Sequence, residues 1–506
     1  MIHPLFLAHD GSSSLADIPK QRIPEFRQSI LDAIRDGARL SALFGCPVNN
    51  ALRLFAVLAH GDTGKLSVTS TEAVDSSYPA LTPECPQAHL FEREIYEQWN
   101  VDPTGHPWLK PVRFERARAG WEGSRPIPVN EAAARREMTF FQVEGEEVHE
   151  VAVGPVHAGI IEPGHFRFQC HGETVLHLEI SLGYQHRGIE KALVGGPSKR
   201  TFHYMETLAG DTTIGHATAY CHNVEALAGT SISARAQAIR GIALELERMA
   251  NHIGDLGALA GDIGFLPTLS YCGRIRGDIL NLTSLVCGNR FGRGLIRPGG
   301  VYFDIGSEMV ETIRERLHSI LQDAQSAVGL LWQSSSVLAR FEGVGTLDAE
   351  TAKSIGMVGV AARACGLRQD IRHDFPAGVY RVARIPMAAR QEGDVMARAM
   401  VRWLEMGHSA AFILDQLDVL PEGPVSGEVG MFPAASHLSV ALVEGWRGEI
   451  CHVAVTDATG RYQGYKVVDP SFHNWFGLAL VLRTQQISDF PLCNKSFNLS
   501  YCGHDL

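Results

Sequence analysis

The chain has 506 residues, of which 45% are hydrophobic and 20% charged, and these values indicate a folded protein of two or more domains. Its 45 Lys and Arg stand against 56 Asp and Glu, and the net charge of -11 argues against a general nucleic-acid-binding protein. The ten cysteines form no Cys-x-x-Cys pair, so neither a zinc ribbon nor a ferredoxin-type cluster is written locally.

The start of the chain and its apolar runs bear on its location. The residues MIHPLFLAHDGSSS have no basic region before their short apolar stretch, so we expect no signal peptide. No run approaches the roughly 18 apolar residues that a membrane-spanning helix needs. Scattered cysteines are typical of a reducing compartment. We therefore expect a cytoplasmic chain that reaches a membrane only through partner proteins.

The first part of the chain predicts a small α/β domain over residues 1–125. Helical patterns cover Glu25–Phe44 and His89–Trp99, and between them lie two segments with the character of strands, Leu52–His60 and Lys65–Thr71. The turn signal at residues 61–64 joins these strands into a hairpin. A polar segment rich in Arg, Pro and Gly follows, and we interpret residues 126–147 as a linker.

Residues 148–506 predict a second, mainly helical domain, so that the whole chain belongs to the α+β class. Small β elements are expected near its two ends: strands at Val148–Val153 and Phe166–Ile180, and a hairpin within Glu444–Asp469. Apolar residues spaced by three and four predict three long amphipathic helices between them. These helices are Ala234–Leu256, Glu308–Phe341 and Met396–Leu417.

Two loops concentrate polar groups beside apolar strands. Residues 154–165 form a loop framed by Gly and Pro that holds two histidines, and residues 182–191 contain His186, Arg187 and Glu190. Such loops can direct a side chain into a cavity and can provide a proton relay or an anion contact. From the residues alone, the alternative interpretation is that both segments are ordinary connecting loops whose charged side chains are solvated.

Several segments, in order, resemble one protein family. GPVHAGIIEPGHFRF, GYQHRGIEKAL, ERMANHIGDLGALAGDIGF and NRFGRGLIRPGGV resemble the large subunit of group 4, membrane-bound nickel–iron hydrogenases, which is homologous to the 49-kDa subunit of respiratory complex I. FEREIYEQWNVDPTGHP is similar to the signature of the 30-kDa subunit of complex I. This order is that of formate hydrogenlyase large subunits. The resemblance covers nearly the whole chain and implies a hydrogenase-large-subunit-like second domain.

The resemblance also implies that the metal site is lost. Hydrogenases of the family hold nickel and iron with two Cys-x-x-Cys pairs, since soft thiolates suit these metals. The positions that match the ligands are Ala209, Thr212, Ser500 and Gly503. Cys221, Cys493 and Cys502 would give at most three thiols at other spacings. We therefore expect no cofactor bound by this chain itself.

Without nickel, the resemblance to complex I implies a quinone site. His157 matches a loop histidine and Tyr204 matches a tyrosine that contact the quinone headgroup, and Asp262 matches an aspartate that partners the histidine. A phenol and an imidazole can donate to the two quinone oxygens and pass protons. The alternatives are a packed helix tyrosine at 204 and, for His157, the surroundings and proton path of a hydrogenase site.

Further residues match positions that lie close to a metal centre in the family. His186, Arg187 and Glu190 match a loop beside the terminal iron–sulfur cluster of the neighbouring small subunit, where a fixed cation would raise the cluster's potential; a buried structural ion pair is the alternative. In hydrogenases an arginine near the region of Arg447 overhangs the ligands on iron. Without the metal, we interpret Arg447 as structural.

Two functions remain open. The chain is either an oxidoreductase subunit, similar to those of NADH-quinone oxidoreductase, or a non-catalytic scaffold of such a complex; the missing thiols disfavour an active hydrogenase. As an oxidoreductase it would pass electrons from an iron–sulfur small subunit to a quinone or another acceptor. Antiporter-like membrane-arm subunits would couple this step to ion translocation. The expected location is the cytoplasmic face of the membrane, with no nucleic-acid partner.

Overall fold

The computed structural model describes residues 4–72, 76–115, 117–118, 139–159, 161–430 and 433–506. Helices and sheets are mixed, so the predicted α+β class is confirmed. The strands are β1 Leu5–Ala8, β2 Ser12–Ser14, β3 Lys20–Gln21, β4 Arg39–Val48, β5 Ala51–His60, β6 Lys65–Glu72, β7 Ser77–Pro79, β8 Asp102–Thr104, β9 Val148–Val153, β10 His165–His171, β11 Thr174–Ser181, β12 Ile296–Arg297, β13 Gly300–Val301, β14 His437–Gly445, β15 Gly448–Thr456 and β16 Tyr462–Val468.

The helices make up most of the second half of the chain. The α-helices are α1 Ile23–Arg35, α2 His89–Trp99, α3 Ile189–Leu193, α4 Thr201–Met205, α5 Thr213–Ala228, α6 Ala234–Asp262, α7 Leu266–Cys287, α8 Ser307–Gln333, α9 Ser335–Phe341, α10 Ala349–Ser354, α11 Gly359–Ala364, α12 Ile371–Asp374, α13 Val395–Asp418, α14 Pro470–Val481, α15 Phe490–Phe497 and α16 Tyr501–His504. Single 3-10 turns lie at Pro86–Ala88, Gly378–Arg381 and Ile487–Asp489.

The N-terminal sheet has the strand order β1-β6-β5-β4, with β3 parallel to β6. The predicted hairpin is confirmed, since β5 and β6 pair antiparallel from Arg53 opposite Glu72 to His60 opposite Lys65. Gly64 takes a positive φ of 64° in the connecting turn, a conformation that favours glycine.

The predicted helix over residues 25–44 is wrong in its second half. Helix α1 ends at Arg35, Gly37 follows with a φ of 99°, and the chain continues as β4. In β4 the residues from Leu40 to Phe44 are buried without alternation. A short apolar run of this kind fits a buried strand as well as a helix, so the pattern did not decide between them.

The long helices of the second domain follow their apolar stripes. The Ser233 side chain caps α6 by accepting a hydrogen bond from the Ala236 amide, and the helix runs on to Asp262, one and a half turns beyond its predicted end. The helix predicted near residues 396–417 is confirmed as α13. The one predicted over residues 308–341 divides at Ser334 into α8 and α9.

A segment near the N-terminus joins the sheets of the two halves, and we call residues 5–14 the strap. Its strand β1 pairs with β6, whereas β2 pairs with β14 at the edge of the C-terminal sheet. One hydrophobic core accordingly contains Phe55 and Phe91 together with Val440 and Phe472. The N-terminal segment and the C-terminal sheet therefore pack as one body. The predicted domain boundaries stay a prediction.

Buried arginines and carboxylates form a network around α6. Its members are Glu245, Arg248, Arg363, Asp370, Arg372, Glu405 and Glu444. At its centre, the Arg363 guanidinium lies 2.6 Å from Glu405 and 2.8 Å from Glu444. Because these charged groups are buried away from water, each needs the opposite charges of its partners to offset the cost of its desolvation. The network joins α6, α11, α12, α13 and β14.

We expect Arg363→Ala to lower the free energy of unfolding by about 3–5 kcal/mol, because the substitution removes the nearest guanidinium from two buried carboxylates, Glu405 and Glu444. Denaturant titration followed by circular dichroism measures this change. Arg390→Ala is the matched control, since Arg390 pairs with Glu392 at the surface, and we expect less than about 0.5 kcal/mol there. Equal effects of the two substitutions would contradict the stabilising role of the network.

Candidate functional site

Four segments converge near the C-terminus of the chain. They are the histidine loop 154–165, the polar loop 182–190, the segment 207–212 and the C-terminal segment 498–506, and we call their meeting point the convergence site. The Asp505 carboxylate accepts hydrogen bonds from the amides of Gly183 (2.8 Å) and Gln185 (3.0 Å). Gly164 packs against the Tyr501 ring, which brings the histidine loop to the same place.

His186 and Arg187 both lie at the convergence site. The Arg187 guanidinium donates to the carbonyls of Thr207 (2.7 Å) and Leu208 (2.8 Å), and the His186 Nδ1 atom is 3.2 Å from the Asp505 carbonyl. These two residues therefore connect segment 207–212 with the C-terminal segment.

Glu190 faces another environment. Its buried carboxylate lies 3.0 Å from the Lys466 ammonium and accepts a hydrogen bond from the Val467 amide. The three residues predicted to lie beside a cluster thus divide between two places: His186 and Arg187 hold the convergence site, and Glu190 belongs to a buried ion pair at β16. The structural alternative fits Glu190.

Arg447 contacts both segments that carry the four positions matched to metal ligands, and the side chains at these positions do not fit a nickel–iron cluster. Ala209 offers a buried methyl group, and the Thr212 hydroxyl accepts a hydrogen bond from the Trp446 indole at 3.1 Å. The Ser500 hydroxyl accepts a hydrogen bond from the Gly503 amide at 2.9 Å. At Gly503 a β-carbon would lie 2.7 Å from the Asp469 carboxyl carbon, so that space is already filled. No soft ligand is present at any of the four positions.

Arg447 occupies the space between the two ligand segments. Its guanidinium forms a bidentate ion pair with Asp211 (2.7 and 2.8 Å), and its Nε atom donates to the Asn498 carbonyl at 2.5 Å. The group also stacks on the Trp446 ring. Burial alone would raise the pKa of Asp211, but Arg447 outweighs it and holds this pKa below its usual value. The Arg447 guanidinium thus links segment 207–212 with the C-terminal segment.

The remaining cysteines offer no thiolate cluster. Cys221 and Cys493 are buried, and Cys502 is partly buried with its sulfur 3.4 Å from the Ser500 hydroxyl. Burial raises the pKa of all three thiols, that of Cys493 to about 11. Within the described ranges, no group of three or more His, Cys, Asp or Glu side chains could hold a metal ion.

The three residues predicted to form a quinone site do not contact one another. His157 Nε2 is 2.8 Å from the Gly164 carbonyl within its own loop, Tyr204 lies half-buried on α4, and Asp262 is exposed at the end of α6. In the part of the chain that the structure describes, no hydrogen bond or ring contact joins them. His157 is on a loop of the convergence site, and Tyr204 is three residues before Thr207.

A different aspartate of α6 reaches the C-terminal segment. The Asp255 carboxylate accepts hydrogen bonds from the Asn498 side chain (2.5 Å) and from the Arg402 guanidinium (2.7 Å). Asp255 and Asp262 are seven residues apart, nearly two helical turns, so both lie toward one face of the helix. The sequence pattern did not distinguish between them.

A buried chain of four protonatable side chains was also missed. It runs from Asp469 through His216 and His452 to Tyr465, with distances of 3.1, 3.0 and 3.0 Å between the bonded atoms. Asp469 stands at the N-cap of α14, beside Gly503. The four side chains come from α5, β15, β16 and the start of α14, and no spacing in the sequence predicts that they meet.

Comparisons with known proteins match two regions of the chain to respiratory-chain families. Residues 18–129 match the respiratory-chain NADH dehydrogenase 30 Kd subunit, and residues 262–436 match the 49 Kd subunit.

Individual relatives carry the names of hydrogenases and of quinone oxidoreductases. Formate hydrogenlyase subunit 5 of Escherichia coli (strain K12) is 29% identical over 93% of this chain and 85% of its own length. The carbon monoxide-induced hydrogenase of Rhodospirillum rubrum is 31% identical over 69% of this chain and 97% of its own length. An NADH-quinone oxidoreductase subunit of Solibacter usitatus is 30% identical over 63% of this chain and 86% of its own length.

A search for membrane spans gave a negative result: no helix among the described residues has both the length and the apolar character to cross a bilayer.

We expect Asp505→Ala to loosen the convergence site, since it leaves the amides of Gly183 and Gln185 without their acceptor, at a cost of about 1–3 kcal/mol. Hydrogen exchange should accelerate in residues 182–190 and 498–506. Asp457→Ala, in the turn between β15 and β16, is the control and should leave both segments unchanged. Unaltered exchange in Asp505→Ala would show that this carboxylate does not hold the segments together.

Proposed function

Because the chain belongs to the family of the complex I 49-kDa subunit and the hydrogenase large subunit, with a 30-kDa-like region ahead of it, we propose that it passes electrons to an acceptor without a nickel–iron site. The chain is a subunit of a complex-I-like, hydrogenase-related oxidoreductase. In this proposal the electrons come from an iron–sulfur small subunit, and the acceptor is a quinone or another molecule. Antiporter-like membrane-arm subunits couple the transfer to ion translocation at the cytoplasmic face.

One observation supports the proposal most directly: the Arg447–Asp211 ion pair stands between the former ligand positions. The Asp211 carboxylate beside Thr212 is engaged by this guanidinium, which also donates to the Asn498 carbonyl, so this carboxylate is not free to bind a metal. The matching positions provide no thiolate. The chemistry left to the chain is that of hydrogen bonds, fixed charges and protons.

The convergence site suits electron transfer to a polar organic acceptor. Arg187 is a fixed cation held by two carbonyls, and a cation beside a cluster stabilises the reduced form and raises its potential. His157 lies on the neighbouring loop and can donate a hydrogen bond to an acceptor oxygen if it exchanges its contact with Gly164. Tyr204 is the second donor in this proposal.

A scaffold without redox chemistry is the second candidate. The observation that favours it is the packing of the convergence site, where Asp469 fills the space beside Gly503 and Arg447 fills the space beside Thr212. The gene for the small subunit separates the two candidates. Retained cluster cysteines there support electron transfer, and their loss supports the scaffold.

We expect the purified complex to contain iron but less than about 0.1 nickel per copy of this chain, and to lack hydrogen-dependent dye reduction, because the site provides no soft ligands. Elemental analysis and a dye-reduction assay check both expectations. One nickel per chain, or hydrogen oxidation above that of a nickel-depleted preparation, would contradict the loss of the site.

We expect His157→Ala and Tyr204→Phe each to lower quinone reduction by the complex, by roughly 10²-fold for the histidine, because each removes a donor to a quinone oxygen. His171→Ala and Tyr271→Phe are matched controls at exposed positions outside the convergence site and should retain full activity. Quinone reduction that is unaffected by the first two substitutions would contradict the proposed contacts.

A further inference from the structure

The four-membered chain from Asp469 to Tyr465 is entirely enclosed by protein. His216 and His452 have no exposed surface, Asp469 is 1% exposed and Tyr465 is 4% exposed. Each link joins atoms that carry or accept a proton: Asp469 Oδ2 with His216 Nε2, His216 Nδ1 with His452 Nε2, and His452 Nδ1 with the Tyr465 hydroxyl. Both ring nitrogens of His216 and both of His452 are therefore used.

The surroundings set the resting protonation state of three members. Burial drives the pKa of His452 well below its usual value, and the neighbouring His216 adds to this effect, so His452 is neutral. Burial raises the pKa of Tyr465 well above its usual value, so the phenol keeps its proton. Burial would also raise the pKa of Asp469, but the hydrogen bond from His216 and the charge of Arg447 outweigh it, and Asp469 is a carboxylate.

These states give all three hydrogen bonds the same direction when His216 is neutral. The Tyr465 hydroxyl donates to His452 Nδ1, His452 Nε2–H donates to His216 Nδ1, and His216 Nε2–H donates to the Asp469 carboxylate. A chain of this kind can pass a proton from one end to the other without any heavy atom moving far.

The two ends lie in different surroundings. The Asp469 end adjoins Gly503 at the convergence site. The Tyr465 end adjoins two further tyrosines, with ring centroids 5.1 Å away at Tyr462 and 6.4 Å away at Tyr220. This row of hydrogen-bonded side chains therefore connects the convergence site with a cluster of tyrosine rings between α5 and β16.

We propose that Tyr465, His452, His216 and Asp469 form a proton relay that delivers a proton to the convergence site when the acceptor there is reduced, an inference that rests on the proposed function. The Tyr465 proton moves to His452 Nδ1, the Nε2 proton of His452 moves to His216 Nδ1, and the Nε2 proton of His216 moves to Asp469. The acceptor takes its electrons from the small subunit's cluster and this proton from Asp469. Tyr465 then regains a proton that comes from solvent.

The test compares two buried tyrosines in the purified complex. Tyr465→Phe removes the hydroxyl that enters the relay, whereas Tyr462→Phe removes the hydroxyl of another buried tyrosine that forms no link of the relay. We expect Tyr465→Phe and His452→Gln to lower quinone turnover by roughly 10²-fold and to increase its solvent deuterium isotope effect. Reduction of the cluster by the electron donor should be unchanged in both, and Tyr462→Phe should match the unaltered complex throughout.

A purely structural network predicts a different outcome. In that case Tyr465→Phe and His452→Gln lower thermal stability, but the turnover of the folded complex and its isotope effect equal those of the unaltered complex. This result would overturn the relay. Equal losses of turnover in Tyr465→Phe and Tyr462→Phe would overturn it as well.

Infrared difference spectroscopy separates failure of the relay from failure of the proposed function. In time-resolved measurements after reduction of the complex, the relay predicts a transient carbonyl band of protonated Asp469 that is absent in Asp469→Asn and in Tyr465→Phe but present in Tyr462→Phe. A complex that shows this band but reduces no quinone contradicts the proposed acceptor and leaves the relay in place. A complex that shows neither the band nor turnover overturns both.

Discussion

The ion pair between Arg447 and Asp211 holds the centre of the molecule together. Arg447 extends from the turn between β14 and β15, Asp211 precedes α5, and the same guanidinium reaches the Asn498 carbonyl before the last helix of the chain. Three distant parts of the sequence thus share one cation. A buried guanidinium that lost these oxygens would carry an uncompensated charge, so the three parts must stay together for the fold to be stable. The network around Arg363 applies the same constraint deeper in the helical region.

Charge and hydrogen bonds also hold the segments of the convergence site together. Arg447 joins Asp211 to the Asn498 carbonyl, Arg187 donates to the carbonyls of Thr207 and Leu208, and Asp505 accepts from the Gly183 and Gln185 amides. These contacts connect segment 207–212, loop 182–190 and the C-terminal segment.

The sequence predicted those parts of the structure that depend on local pattern. The hairpin of β5 and β6 and the helices α6 and α13 follow from periodicity and turn residues. The strand β4 was missed because a short buried run has no distinctive period. The four positions matched to metal ligands were identified through resemblance alone, and they stay a prediction. The relay residues His216 and His452 were missed because α5 and β15 meet only in the folded chain.

The strap has a consequence for the order in which the molecule is made. Its strand β2 pairs with β14, which is encoded near the opposite end of the chain. A ribosome that adds 5–20 residues per second would need roughly 20–90 s to synthesise the chain between these partners. During that interval the strand Ser12–Ser14 has no native partner, because β14 has not yet been made. Residues 12–14 therefore leave the ribosome long before the strand that fixes them in place, and their pairing follows synthesis of the C-terminal sheet.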